Sequence, residues 1–148
     1  MTAASPRRGF TLIELLVVVT VVGLLSTIAL PNLQRALLKA RATDAVADLH
    51  VIRVAVMGYV GDNHTWPADV SRGNIPSGLG DYLPDGFSFA NEHYTIDYDN
   101  WMAKSQGFVG LAVITTEVLM GQEMVNILGP NTWTDGGSRF TWVIEWAD

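Results

Sequence analysis

The chain carries an unbroken run of apolar residues from Phe10 to Leu30, in which Glu14 is the one ionisable side chain. A helix crosses a bilayer with about 20 apolar residues, so this run is long enough to span one. A carboxylate in such a span costs about 2.5–3.5 kcal/mol at the membrane centre, less near the edge, and normally has a partner. No partner lies nearby in the run, and we therefore expect the partner of Glu14 to belong to another molecule.

After Pro31 the pattern changes to an amphipathic helix with apolar residues three or four positions apart. The residues of this stripe are Ala42, Ala45, Leu49, Ile52, Val56 and Tyr59. Polar residues lie off the stripe, namely Arg41, Asp44, Asp48 and His50. The simplest interpretation is one long helix from about Thr11 to Val60, kinked near Leu30 because proline lacks an amide hydrogen. Its second half is expected to pack on a globular head.

The remaining sequence predicts a small antiparallel sheet. Residues 68–86 are rich in glycine, proline, aspartate and serine and predict a loop. Alternating apolar positions predict strands over residues 93–99, 108–115 and 139–146, with a short strand at 133–134 joined to the last by a hairpin turn. Residues 116–128 predict a helix that Thr116 caps and Gly129 ends. The fold class is therefore α+β, with a long N-terminal helix packed on a small sheet.

The last strand also predicts a heavily aromatic face. Phe140, Trp142, Ile144 and Trp146 alternate with polar and smaller residues, so a regular strand places all four on one side of the sheet.

The junction before the apolar run resembles the class III signal of type IV pilins and type II secretion pseudopilins. A short leader with two arginines ends at Gly9, Phe10 and Thr11 follow, and Glu14 is the fifth residue after Gly9. The resemblance implies a pilin-like fold, cleavage between Gly9 and Phe10 by a prepilin peptidase, and N-methylation of Phe10. It also implies that Glu14 pairs with the Phe10 amine of a neighbouring subunit as the helices bundle into a filament.

The same resemblance divides the chain into three parts and places it in the cell. Residues 1–9 are a leader that is removed, residues 10–30 a helix of the membrane or filament core, and residues 31–148 the rest of the helix with a globular pilin head. The N-terminus is implied to be cytoplasmic, at the bacterial inner membrane, before assembly into a pilus or periplasmic pseudopilus. The cations flanking the run favour the opposite orientation, so this assignment rests on the resemblance. The implied partners are the peptidase, the inner membrane, and copies of the chain or other pilins.

Other interpretations of the apolar run fit less well. A secretory signal has an apolar core of about 7–15 residues with the cleavage site after it. Here the core is longer and Gly9 precedes it. A plain membrane anchor fits the length but explains neither Glu14 nor the Arg-Arg-Gly-Phe junction. The rival from another class is a membrane-anchored extracytoplasmic binding module that does not polymerise. Pilus and secretion pseudopilus both remain open.

Charge and composition argue for a structural role. The net charge is −6, and residues 58–148 carry twelve acids against Arg72, Lys104 and Arg139, a balance of −9. An acidic exterior does not favour contact with a phosphate backbone, so no nucleic-acid partner is expected. There is no cysteine, no Gly-x-Ser-x-Gly motif and no phosphate-binding glycine loop, and the three histidines are scattered. We therefore predict that the chain is not an enzyme.

One weak candidate for a metal site remains in the head. Asp97, Asp99 and Asn100 place oxygen atoms close together, and calcium takes six to eight such ligands. The resemblance adds that some secretion pseudopilins bind calcium in the head. The tract does not match an EF-hand loop, and a solvated acidic face of a strand explains Asp97 and Asp99 equally well. No other cofactor is expected.

Overall fold

The computed structural model of the chain describes residues 9–102 and 107–146. They form a long helix, a short 3-10 helix, four strands and a second helix. In chain order these are α1 (Leu12–Asn63), the 3-10 helix (Gly80–Tyr82), β1 (Thr95–Asn100), β2 (Phe108–Ile114), α2 (Val118–Leu128), β3 (Thr132–Thr134) and β4 (Arg139–Trp146). The predicted α+β class, with a long N-terminal helix on a small antiparallel sheet, is confirmed. Two compact units, divided between Leu37 and Leu38, are described separately.

In the N-terminal unit, the helix satisfies its polar side chains internally. The hydroxyls of Thr20, Ser26 and Thr27 donate to the carbonyls four residues earlier, at 2.7, 2.8 and 3.0 Å. A helix in hydrocarbon has no water to bond, so such internal bonds suit a spanning segment. The helix continues through Pro31, whose missing amide hydrogen leaves one carbonyl without its usual helical donor. Residues 1–8 of the predicted leader lie outside the described residues.

In the second unit, the predicted apolar stripe of α1 is confirmed as the face that builds the core. Its buried residues are Ala42, Ala45, Val46, Leu49, Ile52, Ala55 and Val56. Tyr59 is partly buried against the same core. The helix ends at Asn63, because His64 adopts a left-handed φ of 53°. The amide of His64 donates to the Val60 carbonyl at 2.9 Å and closes the last turn.

The sheet has the order β1-β2-β4-β3, and every neighbouring pair is antiparallel. The predicted strands and hairpin are confirmed, although β1 begins at Thr95 rather than at residue 93. One face of the sheet packs on α1 and α2. Its core side chains are Ile96, Tyr98, Val109, Leu111, Val113, Phe140 and Trp142.

The outer edge of β1 is covered by the loop that the sequence predicts. The amide of Gly73 donates to the Ile96 carbonyl at 2.9 Å, and the Ile96 amide donates to the Phe89 carbonyl at 2.7 Å. An uncovered edge strand is a template for unwanted pairing, so these bonds protect the sheet.

Helix α2 begins at Val118, and Thr116 does not cap it as predicted. The N-cap residue is Glu117, and no side-chain hydrogen bond caps the helix. Just before the helix, the Thr115 hydroxyl accepts the amide of Glu117 at 3.1 Å. Gly129 ends the helix as predicted, with a φ of 80°. A Cβ at Gly121 would lie 2.1 Å from the Phe140 ring, so glycine is required for α2 to approach β4 this closely.

The single aromatic face predicted for β4 is wrong at Trp146, whereas Phe140, Trp142 and Ile144 pack against the core. Gly110 pairs with Val143 but its neighbour Val109 pairs with Glu145, so β4 contains one extra residue. Such a bulge reverses the side-chain alternation that follows it. Trp146 therefore lies beside Phe108 on the opposite face, with ring centroids 5.8 Å apart, and is 54% exposed.

The buried stripe generates a stability prediction. Leu49 is 0% exposed, so Leu49→Asp buries an unpaired charge at a cost of several kcal/mol. A domain of this size has only about 5–15 kcal/mol of stability. We expect a loss of cooperative thermal unfolding, or a much lower melting temperature, in circular dichroism of the chain in mild detergent.

The matched control is Ala47→Asp, which places the same side chain at an exposed position of the same helix. Asp48 is unsuitable as a control: although it lies off the stripe, its carboxylate accepts the Tyr94 hydroxyl at 2.6 Å. Equal melting temperatures for Leu49→Asp and Ala47→Asp would contradict the register of α1.

Candidate functional site

The predicted cleavage site lies in non-helical chain immediately before α1. Gly9, Phe10 and Thr11 precede the first helical residue, Leu12, and all of them are exposed. The Phe10 side chain is 76% exposed. Because the Gly9–Phe10 peptide bond lies outside the helix, its carbonyl is not engaged in the helical hydrogen-bond ladder. A protease can therefore reach this bond without first unwinding α1.

Glu14 is held by a capping box at the start of α1. Its Oε2 atom accepts the amide of Thr11 at 2.9 Å and the Thr11 hydroxyl at 2.7 Å. The Thr11 hydroxyl in turn accepts the Glu14 amide at 3.3 Å. This reciprocal pair satisfies donors that a helix N-terminus otherwise leaves unpaired.

The expectation that Glu14 has no partner nearby in the apolar run is wrong for hydrogen bonding, because Thr11 is a neutral partner and the expectation considered opposite charge alone. A Thr-x-x-Glu spacing at the start of an apolar run would have revealed the capping box. Thr11 supplies hydrogen bonds but no positive charge, so the carboxylate is oriented without being neutralised. The structure thus places Glu14 and Phe10 in one exposed segment, with the negative charge of Glu14 still open to a cation.

The surface around Glu14 is apolar. Phe10, Ile13, Val17 and Val18 line a shallow groove beside the carboxylate. Large apolar side chains remain exposed from there to Leu37. Monomeric soluble proteins rarely expose contiguous apolar patches larger than a few hundred Å². Helix α1 also contains a stretch that is long and apolar enough to cross a membrane, and the chain itself buries none of that stretch.

In the head, the predicted metal candidates form a buried ion-pair cluster with an arginine. Arg139 of β4 reaches across β2, and its Nη1 atom lies 2.8 Å from the Asp97 carboxylate. The Nη2 atom of the same guanidinium pairs with Asp99. Ala112 and Gly110, the β2 residues opposite Asp97 and Asp99, are small and leave room for this crossing.

The interpretation of Asp97 and Asp99 as a solvated acidic face is wrong. The two residues are only 9% and 6% exposed. Burial raises the pKa of Asp99, and the Arg139 guanidinium partly opposes that rise. Local sequence patterns do not predict this pairing, because Arg139 lies about 40 positions from the aspartates and meets them only through the order of the strands.

Asn100 is engaged elsewhere. Its side-chain amide donates to the Pro67 carbonyl at 2.8 Å, and its Oδ1 atom accepts the Met102 amide at 3.3 Å. Within residues 9–102 and 107–146, no three histidine, aspartate or glutamate side chains are grouped to hold a metal ion. Calcium binding at Asp97, Asp99 and Asn100 stays a prediction, and a cation there would compete with Arg139 for the carboxylates.

Comparisons with known proteins agree with the geometry of the N-terminal segment. Residues 5–30 match the family model described as the prokaryotic N-terminal methylation motif. The chain is 39% identical to type II secretion system core protein G of Escherichia coli over 67 residues, which are 45% of this chain and 46% of that protein. It is 34% identical to the type IV major pilin protein PilE of Neisseria gonorrhoeae over 71 residues, 48% of this chain and 42% of that protein. No solved structure is significantly similar to the chain.

Over about half of its length, the chain is thus similar to a type IV pilin and to a core protein of type II secretion, and residues 5–30 carry the methylation motif. The chain spans about half the length of the curated relatives it matches. The apolar helix and the relatives fit membrane anchoring and a pilus or pseudopilus.

The ion-pair cluster predicts that a variant without Arg139 loses stability by an amount that depends on pH. Arg139→Met leaves two buried carboxylates without their cation, and breaking a buried pair costs at most about 3–5 kcal/mol. Burial raises the pKa of Asp99 and Arg139 opposes that rise, so without the guanidinium the pKa of Asp99 lies further above its value in the unfolded chain. The folded variant binds more protons than its unfolded form, so its stability increases as the pH falls. We expect Arg139→Met to melt at a lower temperature than the wild type, and this difference in melting temperature should be larger near pH 8 than near pH 5.5.

Arg72→Met is the matched control, since Arg72 is exposed and forms no ion pair among the described residues. It should leave the melting temperature nearly unchanged at both pH values. A gap for Arg139→Met that does not vary with pH would contradict the buried-carboxylate account.

Proposed function

We propose that the chain is a structural subunit of a type IV pilus or a type II secretion pseudopilus, processed after Gly9 and polymerised through its N-terminal helix. The observation that carries the proposal is an exposed apolar helix that begins with an oriented, unneutralised carboxylate two residues into the helix. Such a surface needs both an apolar environment and a cation. The amine that cleavage creates at Phe10 of a neighbouring copy supplies a cation, and the neighbouring helices supply the apolar environment.

The proposal includes an order of events. A prepilin peptidase cuts on the cytoplasmic side of the inner membrane and methylates Phe10. The membrane then holds the apolar helix until it joins the helices of other copies or of other pilins. The matched methylation motif supports the processing step, and the similarity to both pilins and a secretion protein supports a filament without choosing between the two systems.

A membrane-anchored binding module that never polymerises is the alternative function. It needs the apolar helix but has no use for a carboxylate near the start of the helix, where the charge makes insertion less favourable. Incorporation of the chain into filaments separates the two proposals.

Processing gives a direct prediction. When the chain is produced together with a prepilin peptidase, mass spectrometry should show a product that begins at Phe10 and carries one methyl group on its amine. Gly9→Val should leave the precursor uncut, because the pilin family that the chain resembles accepts almost exclusively a small residue before the cleavage site. Val17→Ile, a similar enlargement inside the helix, should be cut normally. Residues 1–8 retained in assembled protein would refute the proposed processing.

Assembly gives a second prediction. Glu14→Gln keeps the shape of the side chain and can still accept hydrogen bonds from Thr11, but it removes the charge. Membrane insertion should be unchanged or slightly easier, whereas the yield of filaments sheared from the cells should fall strongly. Glu123→Gln, which removes one negative charge from the head, serves as the control. Normal filament yield from Glu14→Gln would argue that charge pairing at this residue does not drive assembly.

A further inference from the structure

Two cations of α1 have no partner within the described chain. Arg35 and Lys39 are exposed and lie one helical turn apart, and neither forms an ion pair with a described residue. The neighbouring Arg41 differs, because it pairs with Glu117 at 2.5 Å and thereby ties α1 to the start of α2. Arg139 likewise forms ion pairs with Asp97 and Asp99.

These two cations also carry a cost. They follow the apolar run closely, on the side that the proposed function places outside the cytoplasm. Positive charge there opposes the usual bias of membrane insertion. Arg35 and Lys39 form no ion pair within the described part of their own chain, so both remain open to an acidic partner on another molecule.

The head carries a groove with apolar walls and an acidic residue, which could accept such cations. It has a volume of about 500 Å³ and runs between α1 and the segment after the 3-10 helix. Its apolar lining includes Val51, Val54, Leu83 and Pro84, and Val54 is 73% exposed. His50 and Tyr82 complete the lining together with Asp81.

Three acids adjoin this groove and are called its rim: Asp81 is a lining residue, Asp85 follows the lining residue Pro84, and Asp62 is bonded to the lining residue Tyr82. Asp81 and Asp85 are exposed and form no ion pair with a described residue. A third carboxylate, Asp62, accepts the Tyr82 hydroxyl at 2.9 Å and raises the pKa of that tyrosine. Apolar walls with an acidic rim suit a long aliphatic side chain that ends in a cation, which is the shape of arginine and lysine.

We propose that this groove binds the Arg35–Lys39 turn of α1 from a second copy of the chain. The aliphatic stems pack on Val54, Leu83 and Pro84, and the charged tips pair with Asp81 and Asp85. The charge complementarity selects this occupant: the groove belongs to a head segment of net negative charge, and Arg35 and Lys39 are a matched pair of unused cations. A heterologous contact of this kind repeats from copy to copy and builds an open filament rather than a closed dimer.

This inference rests on the proposed function, and the absence of cysteine makes it testable in the full chain. Variants with cysteine at residues 39 and 81, from Lys39→Cys and Asp81→Cys, should form disulfide-linked ladders when assembled filaments are oxidised. The control combines Lys39→Cys with Glu92→Cys, because Glu92 is an exposed acid outside the groove. Ladders of equal intensity in both variants would overturn the proposal, as would ladders in neither.

A charge swap gives an independent readout. Asp81→Lys should lower the yield of sheared filaments several-fold, and adding Lys39→Asp should restore much of it, because the pair then has its polarity reversed. If Lys39→Asp does not restore the filament yield, the proposal is overturned.

Loss of binding to vesicles of anionic phospholipid on Lys39→Asp, regardless of residue 81, would show instead that the cations contact a membrane surface. Absence of filaments from the wild-type chain would refute the proposed function itself, whereas normal filaments without ladders would refute only this contact.

Discussion

The central constraint on this molecule is an apolar helical surface that residues 9–102 and 107–146 leave exposed. Removing apolar area from water is worth about 25 cal/mol per Å², so the surface between Phe10 and Leu37 has to meet lipid or other apolar helices. Those two environments are almost equally apolar, and the hydrophobic effect therefore does not choose between them. Polar groups on the helix make that choice, and Glu14 is the one ionisable group in the apolar run.

The head satisfies the opposite demand, since it has to fold stably without a disulfide. Its core joins one stripe of α1 to one face of the sheet, and α2 lies close to β4 because Gly121 has no side chain. The other face of the sheet is held by Arg139, which links β4 to β1 across the small residues of β2. This guanidinium connects two strands that are not adjacent in the sheet, and losing it would leave two buried carboxylates without a cation.

Local patterns predicted what depends on neighbouring residues, and they failed where distant residues decide. The spacing of Ala42, Leu49 and Val56 was enough to define the buried face of α1, and the turn chemistry of residues 135–138 was enough for the hairpin. The bulge in β4 adds one residue to a pairing register, which an alternating pattern does not reveal. The burial of Asp97 and Asp99 depends on strand order, since β4 has to lie beside β2 before Arg139 can reach them. The capping box at Thr11 is predictable from the Thr-x-x-Glu spacing. A search for opposite charge does not find it, because hydrogen-bond donors can also hold a carboxylate.

Glu14 needs hydrogen-bond donors and a positive charge, and the capping box supplies only the donors. A carboxylate near the membrane edge needs donors for its lone pairs and a cation for its charge. Thr11 provides donors within the same chain, so the segment can wait in a membrane at a lower desolvation cost. The charge stays uncompensated, and a free amine on a neighbouring copy then offers an interaction that lipid tails do not provide. In the proposed filament, this remaining interaction gives helix association a direction, because the amine and the carboxylate lie at defined positions on each copy.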